Sequence, residues 1–440
     1  MAQPGGSRGG RGSVRPPRVA GHRRARPARA GPPGRRRPGV RPVLRGPRPP
    51  LRSPEPRREG HPDRPGAQAG SPGRSRAGGR GSGRAVSRPR IGLVAAGPDI
   101  VGGQGVQAQA LAAGLRAAGH AVTFIPINPR FPRGLLWLRR CPVARTALNQ
   151  ALYLPGLRRL RNVDVVHLFS ASYWSFLLAA LPAILAGRAA RKRVVLHYHS
   201  GEAEDHLARW GALVHPWLRL VDAIVVPSEY LRRVFERHGY RVCVIRNVVD
   251  TSRFRYRERA PLRPRLLSAR NLEPYYAVDN TLRAFAIVKA GYPGATLTVA
   301  GYGGEEQRLR RLAESLGAGG VRFVGRVDPA GMPAVYDRAE VFLNSSVLDN
   351  QPVSVLEAFA AGLPVVSTGA GDIPALVRHG ETGLIVPPAD PSAMAGAVTA
   401  LLEEPRRARS MARRARKDVE AYLWPRVRGA WEAVYAGREA

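Results

Sequence analysis

Short apolar runs alternate with helical patterns twice along this chain, and this alternation limits the possible fold more than any other feature. The first series of apolar runs begins at residues 91–96 and ends at 242–245, and the second begins at 265–269 and ends at 365–368. Short strands that are apolar throughout and separated by helices are typical of parallel sheets covered on both faces. The sequence therefore predicts an α/β protein with two doubly wound, Rossmann-like domains that face a central cleft.

The N-terminal segment has a composition that cannot form a core. The first 90 residues contain 24 arginines, 17 prolines and 18 glycines, but three acidic residues and no aromatic residue. Because proline and glycine together exceed the roughly 25–30% typical of disordered segments, we expect residues 1–88 to form a disordered tail. A nucleic-acid partner is not expected, since the tail lacks aromatic residues that would stack on bases. The 67 arginines against three lysines in the chain indicate a GC-rich gene, and we expect translation to start near Val86.

The rest of the chain is also basic, and its arginines concentrate in residues 131–162. Seven arginines there interleave with leucines, a tryptophan and a tyrosine, and no acidic residue intervenes. Such a segment can lie on an anionic membrane surface, where each basic residue adds on the order of 1 kcal/mol. It can equally form a solvated helical hairpin that packs on a sheet. Both interpretations stand, and the first predicts peripheral membrane contact through 131–162.

Two further features bear on localisation. Residues 165–187 form the one stretch long enough to resemble a membrane span, but His167 and Pro182 interrupt it, so we expect a buried strand followed by a core helix. Cys141 and Cys243 lie 102 residues apart and indicate neither a disulfide framework nor a zinc site. These features favour a cytoplasmic protein, with or without peripheral contact at the inner face of the membrane.

The most specific local pattern is DNQPVSVLEAF, which begins at Asp349. Pro352 fits the first position of a helix, where its missing N–H group costs nothing. The amide groups that follow would be free to bind phosphate, as they are at other helix N-termini. These amides belong to Val353, Ser354 and Val355.

Two carboxylates that lie eight residues apart flank this predicted helix start. Glu357 lies one turn inside the helix and can accept two hydrogen bonds from a ribose diol. Asp349 stands in the loop before the helix, next to Asn350, where it is placed for sugar hydroxyls. This spacing suits a nucleotide sugar. The competing interpretation is an ordinary strand–loop–helix unit in which Glu357 is solvated.

The segment that starts at Asp349 resembles the donor-site signature of glycosyltransferase family 4, the retaining enzymes of GT-B fold that transfer a sugar from a nucleotide diphosphate. Other segments resemble the family in its order, and the similarity extends from about residue 90 to 438. They include GGQGVQAQALAAGLRAAGHAVTF at 102–124, VVLHYHSGE at 194–202 and VAGYGGEEQRLRRLAESLGAGGVRFVG at 299–325. The resemblance implies an N-terminal acceptor domain at 89–250, a nucleotide-sugar donor domain at 262–423 and a C-terminal helix, 424–438, that crosses back to the first domain.

The resemblance also assigns roles to single residues. It places His199 over the transferred sugar and Arg270 on the diphosphate, where a guanidinium can bridge two phosphate oxygens. The residues themselves predict a helix over 106–118, and Gly102 and Gly103 would begin the loop before it, where they let the backbone approach phosphate or sugar closely. His197 would be packed or paired in the core, while His167 would either line the acceptor side or be a structural histidine.

The chain departs from the family pattern at two places. Asp349 stands where the family usually has glutamate, and Tyr275 and Tyr276 stand where it usually has a lysine for the diphosphate. Charge on the leaving group would then have to be neutralised by Arg270 and by the amides of helix ends.

The resemblance implies a hexosyltransferase that transfers a sugar from a nucleotide-diphosphate sugar to a hydroxyl of a glycan or lipid-linked acceptor of the cell envelope. No DxD motif occurs in the chain, so we expect a metal-independent reaction without a cofactor. The resemblance implies retention of configuration. Because no carboxylate of the matched motifs is placed as a nucleophile, we expect front-face displacement, with His199, Asp349 and Glu357 as the catalytic residues.

Two alternatives remain. The changed lysine and glutamate positions are also compatible with a protein of this fold that binds nucleotide sugars but is catalytically weakened. The GxGxxA spacing of Gly103, Gly105 and Ala108 is compatible with an NAD-binding Rossmann protein. Against this, the first strand ends near Ala96, far from these glycines, and the second ends at Asn128 without the acidic residue that would hold a ribose.

Overall fold

The computed structural model describes residues 88–97 and 102–438. Of the predicted tail only Arg88 belongs to them, and Val86 does not, so the predictions for that segment remain predictions. In the part of the chain that the structure describes, two parallel sheets of six strands each form the framework.

The first sheet has neighbouring strands that are all parallel, in the order β2-β1-β3-β4-β5-β6. Its elements in chain order are β1 (Ile91–Ala95), α1 (Gly103–Ala117), β2 (Val122–Pro126), α2 (Pro142–Gly156), β3 (Val165–Ser170), α3 (Leu181–Ala189), β4 (Arg193–Tyr198), α4 (Ala203–Arg209), α5 (Gly211–Leu218), β5 (Ala223–Val226), α6 (Glu229–Arg237) and β6 (Cys243–Val244). Two 3-10 segments flank α2, at Arg133–Arg140 and Leu157–Asn162, and a π-helical turn, Phe176–Ala180, precedes α3.

The second sheet is also parallel throughout, in the order β12-β11-β10-β7-β8-β9. Its elements are β7 (Arg265–Ala269), α7 (Val278–Gly291), β8 (Thr296–Ala300), α8 (Glu306–Ser315), β9 (Val321–Gly325), α9 (Met332–Arg338), β10 (Val341–Asn344), α10 (Val353–Ala361), β11 (Val365–Thr368), α11 (Ile373–Leu376), β12 (Leu384–Val386), α12 (Pro391–Glu403), α13 (Pro405–Asp418) and α14 (Trp424–Tyr435). Short 3-10 segments occur at Thr251–Arg253, Pro274–Tyr276 and Val419–Tyr422.

The predicted α/β fold with two doubly wound domains is confirmed. The sequence predicts it because the strands are apolar along their length. β1, β3 and β10 are buried along their whole length, because helices cover both faces of each sheet. The strands of the first sheet fall within 89–250 and those of the second within 262–423. The domain limits themselves stay a prediction.

The C-terminal helix α14 packs on the first sheet, although it follows the second in sequence. Trp431 and Tyr435 belong to the same buried cluster as Val165 of β3 and Val195 of β4. The Tyr435 hydroxyl lies 2.8 Å from Nδ1 of His167. The end of the chain is therefore part of the core of the first sheet.

The stretch 165–187 forms β3, the π-helical turn and most of α3, so it is a strand followed by a helix, as predicted, although His167 and Pro182 lie inside these elements. No helix in the described ranges is long and apolar enough to cross a membrane. Cys141 and Cys243 are both free thiols.

Candidate active site

A cavity of about 450 Å³ lies where the carboxyl ends of the two sheets face each other. The first sheet contributes the start of α1 and the residues after β3 and β4, and the second contributes the residues after β7, β8 and β9 and the start of α10. Most of the predicted site residues line it, namely Gly102, Gly103, His199, Arg270, Asp349, Asn350, Val353, Ser354 and Glu357. The position agrees with the rule that open α/β sheets bind ligands at the carboxyl ends of their strands.

Helix α10 begins at the cavity, one residue later than predicted. Pro352 is the residue before the helix, with φ −65° and ψ 116°, rather than its first helical residue. The amide of Val355 donates to the Pro352 carbonyl oxygen at 3.1 Å, and the Val355 side chain is buried in the core. The prediction that Val355 binds the ligand is therefore wrong, because the first turn of the helix uses its amide. The amides of Val353 and Ser354 remain at the helix end, where phosphate can bind.

Helix α1 presents a second N-terminus to the same cavity. The predicted helix covers residues 106–118, whereas the observed one begins at Gly103, so Gly103 is helical and not part of a loop. Because glycine has a low helix propensity, the sequence pattern does not predict this first turn as helical. A Cβ atom at Gly103 would meet nothing within 4 Å, and one at Gly102 would meet only Asn271 Nδ2 at 3.9 Å. The space next to these two residues is thus open to a ligand.

Glu357 is buried, with 9% of its surface exposed, so the interpretation as a solvated helix residue is wrong. Its Oε2 accepts a hydrogen bond of 2.8 Å from the hydroxyl of Tyr336, which also lies 3.1 Å from the Ser354 carbonyl oxygen. Burial raises the pKa of Glu357 to about 7, against the opposing effects of the Tyr336 hydrogen bond and of Arg253. The carboxyl group therefore changes its charge near neutral pH.

Arg270 and Asp349 form a buried ion pair, with Nη2 to Oδ2 at 2.5 Å and side chains 8% and 10% exposed. Nη1 of Arg270 donates to Ser354 Oγ at 3.1 Å, and the guanidinium lies 3.9 Å from the ring centre of Tyr276. Nε of Arg270 is buried without a hydrogen-bond partner among the described residues. The arginine is thus fixed at the start of α10 by three side chains.

Two glycines fix the loops that carry this pair. A side chain at Gly371 would overlap the carbonyl oxygen of Asp349, and one at Gly301 would overlap the carbonyl oxygen of Arg270. Gly371 also has φ +56°, in the left-handed region that favours glycine. The loop of Asp349 can therefore lie against Gly371, and the loop of Arg270 against Gly301, only because these two positions lack a side chain.

His199 lines the cavity on the side of the first sheet. Its ring stacks on Phe169, with centroids 5.0 Å apart, and lies 4.0 Å from the ring of His197. Burial lowers the pKa of His199 to about 3, so the imidazole is neutral at neutral pH. It can therefore accept or donate one hydrogen bond to a sugar, but it does not add positive charge for a phosphate.

His197 and His167 lie behind His199 in the core. Nδ1 of His197 is 3.3 Å from Nε2 of His167, whose Nδ1 contacts the Tyr435 hydroxyl. Burial lowers the pKa of both rings. His197 is packed as predicted, and of the two possibilities for His167 the structure shows the structural one.

Asn350 lines the cavity but is also a link between the two sheets. Its Oδ1 accepts a hydrogen bond from Ser228 Oγ, which precedes α6 of the first sheet. The next residue, Gln351, accepts from the amide of Asn247 at 2.8 Å and donates to the Pro227 carbonyl oxygen at 2.9 Å. The loop before α10 is therefore anchored to the first half of the molecule.

Several cavity residues carry no signal in the sequence. Tyr336 lies 21 residues before Glu357, a separation that no short motif covers. Asn271, Tyr302 and Arg326 also line the cavity. In residues 88–97 and 102–438, no three His, Cys, Asp or Glu side chains are grouped so that they could hold a metal ion.

Comparison with known families gives two adjoining matches. Residues 101–253 match Glycosyltransferase Family 4, and residues 252–418 match Glycosyl transferases group 1. The boundary between the matches falls between the two sheets.

Similar proteins cover most of the chain. Glycogen synthase of Mycobacterium tuberculosis is 29% identical over 387 residues, which are 77% of this chain and 92% of that protein. The GDP-mannose-dependent alpha-(1-6)-phosphatidylinositol monomannoside mannosyltransferase of Mycolicibacterium smegmatis is 31% identical over 279 residues, 57% of this chain and 72% of that protein. Among solved structures, Anabaena HepE in complex with UDP-glucose has a TM-score of 0.62 at 17% identity and covers 78% of this chain and 98% of its own.

The two sheets, the cavity between them and these matches define the protein as a glycosyltransferase of GT-B fold. More specifically, the chain belongs to glycosyltransferase family 4.

Proposed function

We propose that the protein transfers a hexosyl group from a nucleotide-diphosphate sugar to a hydroxyl acceptor, with retention of configuration and without a metal ion. The observation that carries this proposal is the convergence of two helix N-termini, Arg270 and Glu357 on one cavity. An anion at that point is favoured, since each helix N-terminus acts like roughly half a positive charge.

The parts of the donor match the parts of the cavity. Glu357 is placed one turn inside α10, where its carboxylate accepts hydrogen bonds from the ribose diol. The amides of Val353 and Ser354 and the guanidinium of Arg270 receive the diphosphate. Arg270 then exchanges part of its contact with Asp349 for phosphate oxygens, and the released carboxylate oxygen becomes available to sugar hydroxyls.

Charge neutralisation does not need the lysine that the family usually has. Tyr276 occupies part of that region and stacks on Arg270, which holds the guanidinium in place. Arg326 also lines the cavity, and it directly follows β9 of the second sheet. Two arginines and two helix ends supply the positive potential that stabilises the leaving diphosphate.

The reaction that fits this arrangement is a front-face displacement. The bond between the anomeric carbon and the diphosphate oxygen breaks, and the acceptor oxygen bonds to the same face of that carbon. The acceptor proton passes to an oxygen of the leaving diphosphate. Neutral His199 orients the sugar, because its imidazole can hydrogen-bond to a hydroxyl without repelling an oxocarbenium-like centre.

The acceptor is a glycan or a lipid-linked glycan of the cell envelope. Support comes from the names of similar proteins, which include a glycogen synthase and a mannosyltransferase of phosphatidylinositol monomannoside. We propose that the enzyme works in the cytoplasm and contacts the inner membrane face through residues 131–162. This segment exposes Trp137 and Val143, with 66% and 79% of their surfaces accessible, among its arginines.

A nucleotide-release assay tests this function. UDP-, GDP- and ADP-sugars are offered with membrane extract as acceptor, with and without EDTA, and the anomeric configuration of the product is read by NMR. We expect release from one nucleotide class, unchanged by EDTA, and a product of unchanged configuration. Binding of a donor without release would favour the catalytically weakened alternative, and binding of NAD with no nucleotide sugar would favour the dinucleotide-binding one.

A further inference from the structure

Three aromatic side chains form a cluster on the first half of the molecule, and one of them is exposed to solvent. We call Tyr173, Trp174 and Trp210 the aromatic platform. Trp174 is 65% exposed. The ring of Trp210 stands edge-on to it at 5.4 Å and edge-on to Tyr173 at 5.5 Å. Tyr173 and Trp210 are partly buried, and Trp210 packs against the core, so the exposed ring of Trp174 rests on two further rings that are part of the fold.

The platform is held rigidly. Tyr173 has φ +55°, in the left-handed region that a bulky residue rarely adopts. Its hydroxyl donates to the carboxylate of Asp205, which also pairs with Arg209 at 2.7 Å. The preceding residue, Ser172, contacts the buried Tyr198 hydroxyl at 2.8 Å. A strained residue that is fixed on both sides is typical of a binding site.

The platform lies near the cavity, although none of its three side chains lines it. Ala171, directly after β3, lines the cavity, and three residues further on the Cα of Trp174 cannot lie more than about 11 Å away. Glu202 also lines the cavity. Burial, the Asp205 contact and the charge of Glu202 raise the pKa of Tyr173 to about 12, so Glu202 and Tyr173 are electrostatic neighbours. The platform thus lies on the side of the cleft that carries His199.

The surroundings favour a sugar ring over an acyl chain as the ligand. A pyranose presents C–H groups on its face, which pack on an aromatic ring, and hydroxyls at its rim. Asp205 and Arg209, 44% and 76% exposed, stand beside the platform and can hydrogen-bond to such hydroxyls. An acyl chain would instead remove water from both charges without offering a partner.

We propose that the aromatic platform binds a sugar ring of the acceptor at a distance from the hydroxyl that receives the new sugar. The inference rests on the proposed transfer to a hydroxyl acceptor and makes that acceptor a chain of more than one sugar. The platform is then a distal acceptor subsite, which selects extended glycans over monosaccharides.

Calorimetric titration with maltoheptaose, a linear mannohexaose and their methyl monoglycosides tests the subsite. We expect at least one oligosaccharide to bind the wild type and the monoglycosides to bind more weakly. Trp174→Ala should weaken oligosaccharide binding about tenfold, while Trp174→Phe keeps an aromatic face and should lose much less. Trp137→Ala, which removes an equally exposed tryptophan elsewhere, should leave oligosaccharide binding unchanged.

Donor hydrolysis in water, measured on the same proteins, separates this inference from the proposed function. Equal nucleotide release by the wild type and Trp174→Ala, with altered oligosaccharide binding, supports the subsite. No release by any of the proteins, either in water or with membrane extract as acceptor, would refute the proposed function. Failure of every oligosaccharide to bind, or equal binding by the wild type and Trp174→Ala, would overturn the subsite. So would a Trp174→Ala variant that loses only its sedimentation with phosphatidylglycerol vesicles, because the ligand would then be a lipid surface.

Discussion

At the scale of single residues, the pairing of Arg270 with Asp349 is the main difference between sequence and structure. The sequence predicts the arginine on the diphosphate and the aspartate on the sugar, whereas the two side chains hold each other at 2.5 Å. Both are nearly buried, so neither can lose its partner without a replacement. A donor phosphate is such a replacement for Asp349.

Asp349→Asn therefore should lower the melting temperature in the absence of ligand, because Arg270 is left with an uncompensated buried charge. A nucleoside diphosphate should raise the melting temperature of this variant by more than it raises that of the wild type. The turnover of the variant should fall at least about tenfold. Thermal unfolding with and without nucleotide measures this. Ser354→Ala, which removes one neutral partner of Arg270, is the control and should show a smaller loss. Equal stabilisation of Asp349→Asn and wild type by nucleotide would contradict the proposal that a donor phosphate replaces Asp349 as the partner of Arg270.

Glu357 gives a prediction with a defined pH range. Its pKa is raised from 4.5 to about 7 in the folded protein, so the folded state holds a proton that the unfolded state has lost between these values. The stability contribution is fully present below about pH 4.5 and is lost as pH rises through 7, by about 3 kcal/mol in total. Glu357→Gln cannot titrate, so the stability difference between the two proteins should shift by this amount across that range. Denaturant unfolding at pH 4.5, 6 and 8 measures the shift, and a difference that is independent of pH would contradict the buried position.

The same group should control nucleotide affinity. Only the ionised carboxylate accepts hydrogen bonds from both ribose hydroxyls, so affinity should rise with pH through about 7 in the wild type and stay flat in Glu357→Gln. At pH 8 the variant should bind nucleotide about 1.5–3 kcal/mol more weakly. Calorimetric titration at several pH values gives both numbers. Parallel pH profiles for the two proteins would remove Glu357 from the ribose site.

At the scale of elements, local patterns predict where strands lie better than where helices begin. β3 is apolar at every position except His167 and Ser170, and the strand is found where the pattern places it. The predicted starts of α1 and α10 are wrong by three residues and by one, because glycine has a low helix propensity and the fixed φ of proline fits both the first residue of a helix and the residue before it. The amide of Val355 shows why this matters, since a difference of one residue in the helix start decides which amides can reach a ligand.

The segment 131–162 carries a prediction for membrane contact. It forms two 3-10 segments and α2, and large apolar side chains face water at Leu136, Trp137, Val143 and Leu154. Trp137→Ser combined with Val143→Ser should reduce sedimentation with phosphatidylglycerol vesicles, and salt should weaken binding of the wild type. Leu213→Ser, which changes an apolar side chain of similar exposure on α5, is the control. Equal sedimentation of all three proteins would leave the segment as a solvated hairpin.

At the scale of the whole molecule, the contacts between the two halves could not be predicted from the sequence. Asn350 and Ser228 lie 122 residues apart, and Gln351 and Asn247 lie 104 apart. Each half has its own apolar pattern, which specifies a sheet, whereas single polar contacts between sheets leave no periodic signal. The cleft between the two domains was predicted from the sequence. The residues that link the two halves next to it are known only from the structure.

Helix α14 makes a further long-range contact, because it follows the second sheet in sequence but packs on the first. Trp431 is 1% exposed, and its ring lies 4.9 Å from His167 and 4.8 Å from His197. Trp431→Ala should cost about 3–5 kcal/mol of stability, because it leaves a cavity behind the histidines. Trp137→Ala, at an exposed position, should stay within about 0.5 kcal/mol. Urea unfolding of both variants measures this, and equal midpoints would show that α14 does not support the first sheet.

The central claim is that the cavity between the sheets transfers a sugar from a nucleotide diphosphate. The rate of nucleotide release from the preferred donor, compared between wild type, Arg270→Lys and Arg270→Ala, tests it most directly. We predict release by the wild type in the presence of EDTA and a loss of about 100-fold in Arg270→Ala, with Arg270→Lys between them, since lysine keeps the charge but not the planar contact. Release that is unchanged in Arg270→Ala, or no release from any UDP-, GDP- or ADP-sugar by the wild type, would contradict the claim.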